Sequence, residues 1–375
     1  MKLVRTVKLQ LECSPAEFNN TVELYTQAFN TVCAVGWADK DFNGVSLHHK
    51  TYRKVSELLP SQLKISSRMK ATEALKSVRK KPEAACPVSK RSSVRYDARS
   101  YNVMFDKNIV SLLTTEGRKK FGIKVPEYFK KYLAWRRTTA DLFIRGNKVF
   151  LHIVFEKEVE SPKLTGEVTG IDRGINKIAV TSENRFYSGK ECKCITHKYR
   201  RLRSKLQACG TRSAKRHLKE LSRKENRYRA DVNHCVSKSI ISETAPGTVL
   251  VLEDLFSVRH NRKLNKKMRT LLYNWSFFQL QEFLTYKAQE KGVAVEYVDA
   301  RFTSQKCSVC GHVSRSNRTS QAQFRCRKCG LTLNADINAS RNIRQNYLAA
   351  ICGKGSGDVN RPIVADAEAL YPQDN

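Results

Sequence analysis

The chain has 375 residues, with 69 lysines and arginines against 35 aspartates and glutamates, a formal net charge of +34 at pH 7. One hydrophobic core stops growing at roughly 250–300 residues, so more than one domain is expected. The 41% apolar content supplies ordinary cores and argues against disorder. The charge excess argues against an enzyme of small molecules and favours a long polyanion, which relieves self-repulsion and releases counterions on binding. Nucleic acid is the leading partner. No membrane partner is expected, because the longest apolar runs are strand-length, well below the roughly 18 residues of a spanning helix.

Lys2, Arg5 and Lys8 interrupt any apolar leader, so no signal peptide is expected and the chain is assigned to the cytoplasm, on the nucleoid when bound to DNA. Its 12 cysteines are then reduced. Leu3, Val7, Leu9 and Leu11 alternate, which predicts a strand over residues 1–11. Ser14 or Pro15 opens a helical region, roughly 15–80, with Phe18, Val22, Tyr25 and Phe29 at helical spacing. Leu58, Leu59 and Leu63 predict a later helix, and Lys64–Lys81 is a basic helix available to phosphates. The aromatic residues of 18–52 read as core rather than as platforms for bases. Residues 91–165 alternate instead: Val94, Tyr96, Tyr101, Val103 and Phe105, then Leu142, Ile144, Val149, Leu151, Ile153 and Phe155 across the turn Arg145-Gly146-Asn147. These strands and the first one predict a small barrel.

A second α/β region starts at 166. Ile171–Val180 reads as strand, tight turn, strand, and 195–240 as a long basic helical stretch. Val249–Leu252 suits a strand buried on both faces. Phe277, Leu280, Leu284 and Ala288 share one face of a helix over 274–290, which Gly292 ends before a strand at Val293–Val298. Residues 353–375 lose periodicity and are expected to be loose.

Two constellations carry chemistry. Cys307-x2-Cys310 and Cys326-x2-Cys329 are separated by fifteen residues, and Gly311 and Gly330 follow each pair. Two such knuckles complete a tetrahedral S4 site, which has no open position and is structural: one zinc ion. The other eight cysteines show no metal spacing and read as ordinary thiols. Arg315, Arg318, Arg325, Arg327 and Lys328 around the knuckles suit phosphate contact or a solvated basic face. Asp172 and Glu253 end apolar strands, and Asp336 starts a helix. Each alone is weak evidence, because acids commonly cap helices and end strands. If they converge, their repulsion calls for magnesium or manganese, and two such ions suit phosphodiester hydrolysis. Spacing alone does not choose between Glu253 and Asp254.

Read together, the motifs Gly170-Ile171-Asp172-Arg173-Gly174, Val251-Leu252-Glu253-Asp254-Leu255, Tyr286-Lys287-Ala288, Phe302–Gly311, Phe324–Gly330 and Asn334–Ile343 resemble the TnpB family. These are transposon-encoded relatives of type V CRISPR effectors and of Fanzor proteins. The resemblance is strong over 166–345, weaker through Arg95–Tyr101, and over 12–90 rests on length and helical character. It implies an α+β multidomain chain. A wedge β-barrel is formed by 1–11 and 91–165 around an inserted helical recognition region, 12–90. An RNase H-like (RuvC) nuclease follows in two parts, 166–303 and 333–352, split by a zinc-ribbon insert that binds target nucleic acid, 304–332. It implies that Asp172 bridges two Mg2+ ions, that Glu253 and Asp336 bind one each, and that Glu253 rather than Asp254 is the ligand. It further implies a monomer on one guide RNA that recognises a short motif beside its double-stranded DNA target and cuts the DNA. A non-cleaving RNA-guided regulator is the alternative. A DNA-strand transposase is disfavoured, since no serine or tyrosine recombinase constellation stands out.

Overall fold

The computed structural model describes residues 1–81, 83–255 and 277–352, which divide in sequence into two compact units between Glu160 and Ser161. The expected loose tail, 353–375, and the start of the expected helix at 274 lie outside the described residues.

The first unit is a seven-stranded antiparallel sheet with three helices. In chain order it holds β1 (Lys2–Glu12), α1 (Ala16–Ala38), α2 (Gly44–Thr51), α3 (Ser61–Val78), β2 (Val94–Tyr96), β3 (Tyr101–Met104), β4 (Ile109–Thr114), β5 (Gly117–Lys124), β6 (Arg136–Arg145) and β7 (Lys148–Glu158). The strand order is β2-β6-β7-β1-β5-β4-β3, so the amino-terminal strand sits at the centre, between β7 and β5. Its alternation explains this: Leu3, Val7, Leu9 and Leu11 are buried on one face. The sheet curls to near closure, as the sequence predicts. Arg137 on β6 donates to the Val103 carbonyl on edge strand β3 at 2.6 Å, and Tyr101 Oη donates to Thr138 O at 3.2 Å.

The helical region has no core wholly of its own. Phe18, Val22, Tyr25 and Ala28 of α1 pack into the core that the strands enclose, while a smaller cluster around Phe29, Cys33, Leu47 and Leu75 joins the three helices. Phe18, Tyr25 and Phe29 are thus core residues. Leu58 departs from expectation: it is 71% exposed in the turn before α3, and only Leu59 and Leu63 face the core.

The second unit is built on a five-stranded sheet, β10-β9-β8-β11-β12, from β8 (Val168–Asp172), β9 (Lys177–Thr181), β10 (Phe186–Ser188), β11 (Val249–Asp254) and β12 (Ala294–Asp299). β8, β9 and β10 are antiparallel, whereas β11 runs parallel to both β8 and β12. The unbroken Val249-Leu250-Val251-Leu252 run follows from this placement. Leu250 and Leu252 join Val236, Ile240, Leu280 and Leu284 on one face, and Val249 and Val251 join Ile343 on the other. The covering helices are α4 (Lys190–Cys209), α5 (Arg212–Glu243), α6 (Phe277–Lys291) and α7 (Ala335–Cys352). The long basic stretch is therefore two helices, broken at Gly210, with Thr211 capping the second by accepting from Ala214 N–H. Glu225 is buried between Arg203 and Arg229 and fixes that hairpin.

α7 lies directly on β8 at Gly170, where an added Cβ would meet Ser340 O at 2.1 Å and Arg344 N at 2.7 Å, both backbone atoms that cannot swing aside. Gly170→Ala is expected to cost about 3 kcal/mol or more. Chemical denaturation checks this; a loss below about 0.5 kcal/mol would show that the helix can retreat from the sheet.

Candidate functional site

Parallel strands β8 and β11 end side by side, with Leu252 opposite Ile171. The residues that follow, Glu253 and Asp172, therefore come together at one sheet edge. Asp336 arrives from the first turn of α7. The cap of that helix is Asn334, whose side-chain oxygen accepts from the N–H groups of Asp336 (3.0 Å) and Ile337 (3.3 Å). Asn334 thus does the capping that an acid at a helix start usually does, and leaves the Asp336 carboxylate to other contacts. All three acids line a single cleft of about 430 Å³. Asp254 is exposed and outside that lining.

The electrostatics follow from the crowding. Asp172 is pushed up to about 8, first by burial and then by the Glu253 and Asp336 charges. Burial raises Glu253 as well, against a hydrogen bond from Thr303 and the Arg173 charge. Burial raises Asp336, with Arg318 and Lys177 pulling the other way. Arg318 Nη2 lies 3.6 Å from Asp336 Oδ1. Of the basic residues on the cysteine-bearing segment, it is the one that turns into the cleft. Sequence reasoning placed Arg318 only on a basic surface, because its approach to Asp336 depends on a fold between residues eighteen positions apart.

Two further residues had no sequence signal of their own. Arg173, 6% exposed, donates to Glu253 O at 2.5 Å and to Gln281 Oε1 at 3.0 Å, tying the ends of β8 and β11 to α6. Thr303 is buried and its Oγ1 lies 2.5 Å from Glu253 Oε1.

The four cysteines form the second constellation. Their sulfurs lie within 4.8 Å of one another, with Cys307–Cys329 at 3.7 Å and Cys310–Cys326 at 3.5 Å. A tetrahedral zinc site with Zn–S near 2.3 Å needs sulfurs about 3.8 Å apart, so the donor set and its spacing fit zinc. Each pair closes a turn of the same form: Gly311 N–H donates to Cys307 O and Gly330 N–H to Cys326 O. Both glycines have positive φ, +72° and +75°, as these turns require. Cys326 Sγ accepts from the Cys329 and Lys328 N–H groups, which lower its thiol, while burial and the shared contacts with its neighbouring sulfurs raise Cys329, so in the metal-free cluster the proton sits on one member and the thiolate on another.

Comparison with known proteins places this geometry. Residues 277–343 match the family model described as Cas12f1-like, TNB domain, and residues 152–256 match the one described as Probable transposase. The CRISPR-associated endodeoxyribonuclease Cas12f1 of Sulfoacidibacillus thermotolerans is 38% identical over 129 residues, 34% of this chain and 29% of the relative. The TnpB-like protein MJ0751 of Methanocaldococcus jannaschii is 35% identical over 34% of this chain and 45% of its own. The putative RNA-guided DNA endonuclease InsQ of Escherichia coli strain K12 is 28% identical over 55% of this chain and 56% of its own. In each case the match spans well under two thirds of the relative. Among solved structures, a Cas12f1–sgRNA–target DNA complex superposes with a TM-score of 0.59 at 15% identity, covering 86% of this chain and 80% of that one. That likeness is one of fold, and it agrees with the mixed α/β architecture read from the sequence.

The folded Asp172 carboxyl keeps its proton up to about pH 8, whereas an ordinary aspartate loses it near 3.8. Between those values the folded state holds more protons than the unfolded one, so without divalent cations the fold loses stability as pH rises from about 4 to about 8. Asp172→Asn removes the Asp172 share of this dependence and leaves that of Glu253 and Asp336. Its melting temperature at pH 8, with no divalent cation added, is expected to exceed that of the wild type, and the gap to narrow as pH falls towards 5. Thermal melts across that range check this, and equal melting at pH 8 would contradict it.

Proposed function

We propose that the chain is a TnpB-family RNA-guided DNA endonuclease that hydrolyses phosphodiesters at Asp172, Glu253 and Asp336. The observation that carries this is the meeting of these three carboxylates, from three elements far apart in sequence, in one cleft of a chain with net charge +34. The named relatives supply the substrate class: one is an endodeoxyribonuclease and another a putative RNA-guided DNA endonuclease. We assign the second unit to an RNase H-like (RuvC) nuclease split by a zinc ribbon. The curled sheet of the first unit is the wedge barrel that holds the helical recognition region. The strand order β10-β9-β8-β11-β12, with its antiparallel and parallel halves, supports the RuvC assignment.

The three carboxylates along the cleft are hard oxygen donors, the chemistry that magnesium or manganese prefers, although among the described residues only the four cysteines already stand close enough together to hold an ion. Burial, and then the Glu253 and Asp336 charges, favour the protonated form of Asp172, a penalty that a bound cation would offset. Two such ions, when bound, supply the charge that activates water and stabilises the leaving oxygen. The protein's own residues do the rest. Asp172, Glu253 and Asp336, at the ends of β8 and β11 and the start of α7, are the residues that would hold the cations. Lys177 and Arg318 line the same cleft and draw in the phosphate. The S4 cluster holds its zinc away from the chemistry and shapes the segment that carries Arg318. Guide RNA pairing sets the sequence, while the protein reads backbone shape and a short motif beside the target. The working unit is a monomer on one guide RNA in the cytoplasm. A non-cleaving regulator would have no use for three acids kept together at the cost of their repulsion.

Asp172→Asn, Glu253→Gln and Asp336→Asn are each expected to reduce guided DNA cleavage to background while leaving binding of the co-purifying RNA unchanged. Cleavage by Asp172→Asn at the wild-type rate would remove the triad, and the absence of any co-purifying RNA would remove the guide.

A further inference from the structure

Buried polar side chains ask for an explanation, because each must be hydrogen-bonded to offset its desolvation. In the second unit several of them concentrate on the turn between β12 and Cys307. Thr303 is 3% exposed, and Asn338 and Asn342, four residues apart on α7, are fully buried. Asn342 Nδ2 donates to Thr303 O at 2.7 Å and to Lys306 O at 2.6 Å. Asn338 Nδ2 donates to Lys306 O at 2.8 Å, and its oxygen accepts from Ser308 N–H at 3.0 Å. The two asparagines therefore fix the backbone of the turn on both sides of Cys307. The same helix carries Asp336 in its first turn.

What this fixed turn presents is the Thr303 hydroxyl. Oγ1 lies 2.5 Å from Glu253 Oε1 and 3.1 Å from Ala300 O. A hydroxyl has one proton to give, and the carboxylate is both nearer and charged, so it takes the proton. We propose that Thr303 is a positioning residue for Glu253: its hydroxyl occupies Oε1, fixes the carboxylate plane, and leaves the other oxygen to a divalent cation. The proposal rests on the nuclease reading for the cation, but not for the orientation of Glu253. It joins the two constellations. One helix, through Asn338 and Asn342, sets the turn that enters the cysteine cluster, the residue that aims Glu253, and Asp336 itself.

The test compares Thr303→Val, which keeps the shape and loses the hydroxyl, with Thr303→Ser, which keeps the hydroxyl. Both are prepared as the full chain with its co-purifying RNA. Mn2+ binding is measured by calorimetry, with Asp172→Asn carrying the same RNA as the blank that subtracts binding outside the cleft. Losing a hydrogen-bond partner of a metal ligand typically weakens binding on the order of 10-fold or more. The expected result is such a loss in Thr303→Val and wild-type affinity in Thr303→Ser, with melting temperatures of both near wild type. Wild-type affinity in Thr303→Val, or an equal loss in Thr303→Ser, would overturn the proposal, the latter by showing that the methyl group matters instead. Crystal structures of the two variants read the orientation directly. A Glu253 carboxylate turned away in Thr303→Val and unmoved in Thr303→Ser supports the proposal; one unmoved in both overturns it. That readout stands even if the wild type cuts no DNA, which would count against the nuclease reading alone.

Discussion

Mutual repulsion among Asp172, Glu253 and Asp336 is the constraint around which the second unit is arranged. A flexible chain would relieve this by moving apart. This one does not, because each acid is fixed by something costly to disturb. Asp172 and Glu253 end adjacent parallel strands whose apolar residues are buried on both faces. Asp336 belongs to a helix that lies against β8 with no room for a Cβ at Gly170. Burial first, and then the Glu253 and Asp336 charges, push the Asp172 carboxyl up to about 8 in this fixed arrangement. On the proposed nuclease reading, divalent cations of hard-oxygen preference would relieve that crowding on binding.

The positive groups of the site divide into two kinds. Arg173 is buried behind the acids and bonded to the Glu253 carbonyl, so it holds structure. Arg318 and Lys177 line the cleft itself, where a phosphodiester would enter. Arg318 comes from the segment between the two cysteine pairs, so the cluster that does no chemistry still delivers a cation to the acids.

How much of this the sequence discloses depends on how local each feature is. The cysteine cluster is legible because each pair sits in one turn, and its spacing alone states the chemistry. The alternation of Leu3, Val7, Leu9 and Leu11 and the unbroken Val249–Leu252 run also declare their surroundings. The acids were less legible: nothing local separates Glu253 from Asp254, and the resemblance to TnpB proteins, not spacing, favoured Glu253. In the fold Glu253 is buried in the cleft, and Asp254 is exposed outside its lining. The roles of Thr303 and Arg318 were invisible, since each depends on a partner brought near only by the completed fold. Leu58 misled because helical spacing extends into the turn that precedes α3. The break of the basic stretch at Gly210 could have been found, since glycine followed by threonine is a helix end and a new cap.

The central claim is that the three carboxylates are joint ligands of catalytic divalent cations. Anomalous diffraction from crystals equilibrated with Mn2+ tests it most directly. The account predicts two manganese peaks in the cleft, both touching Asp172, one also touching Glu253 and the other Asp336. Crystals that show no peak there, with Arg318 still on Asp336, would contradict it.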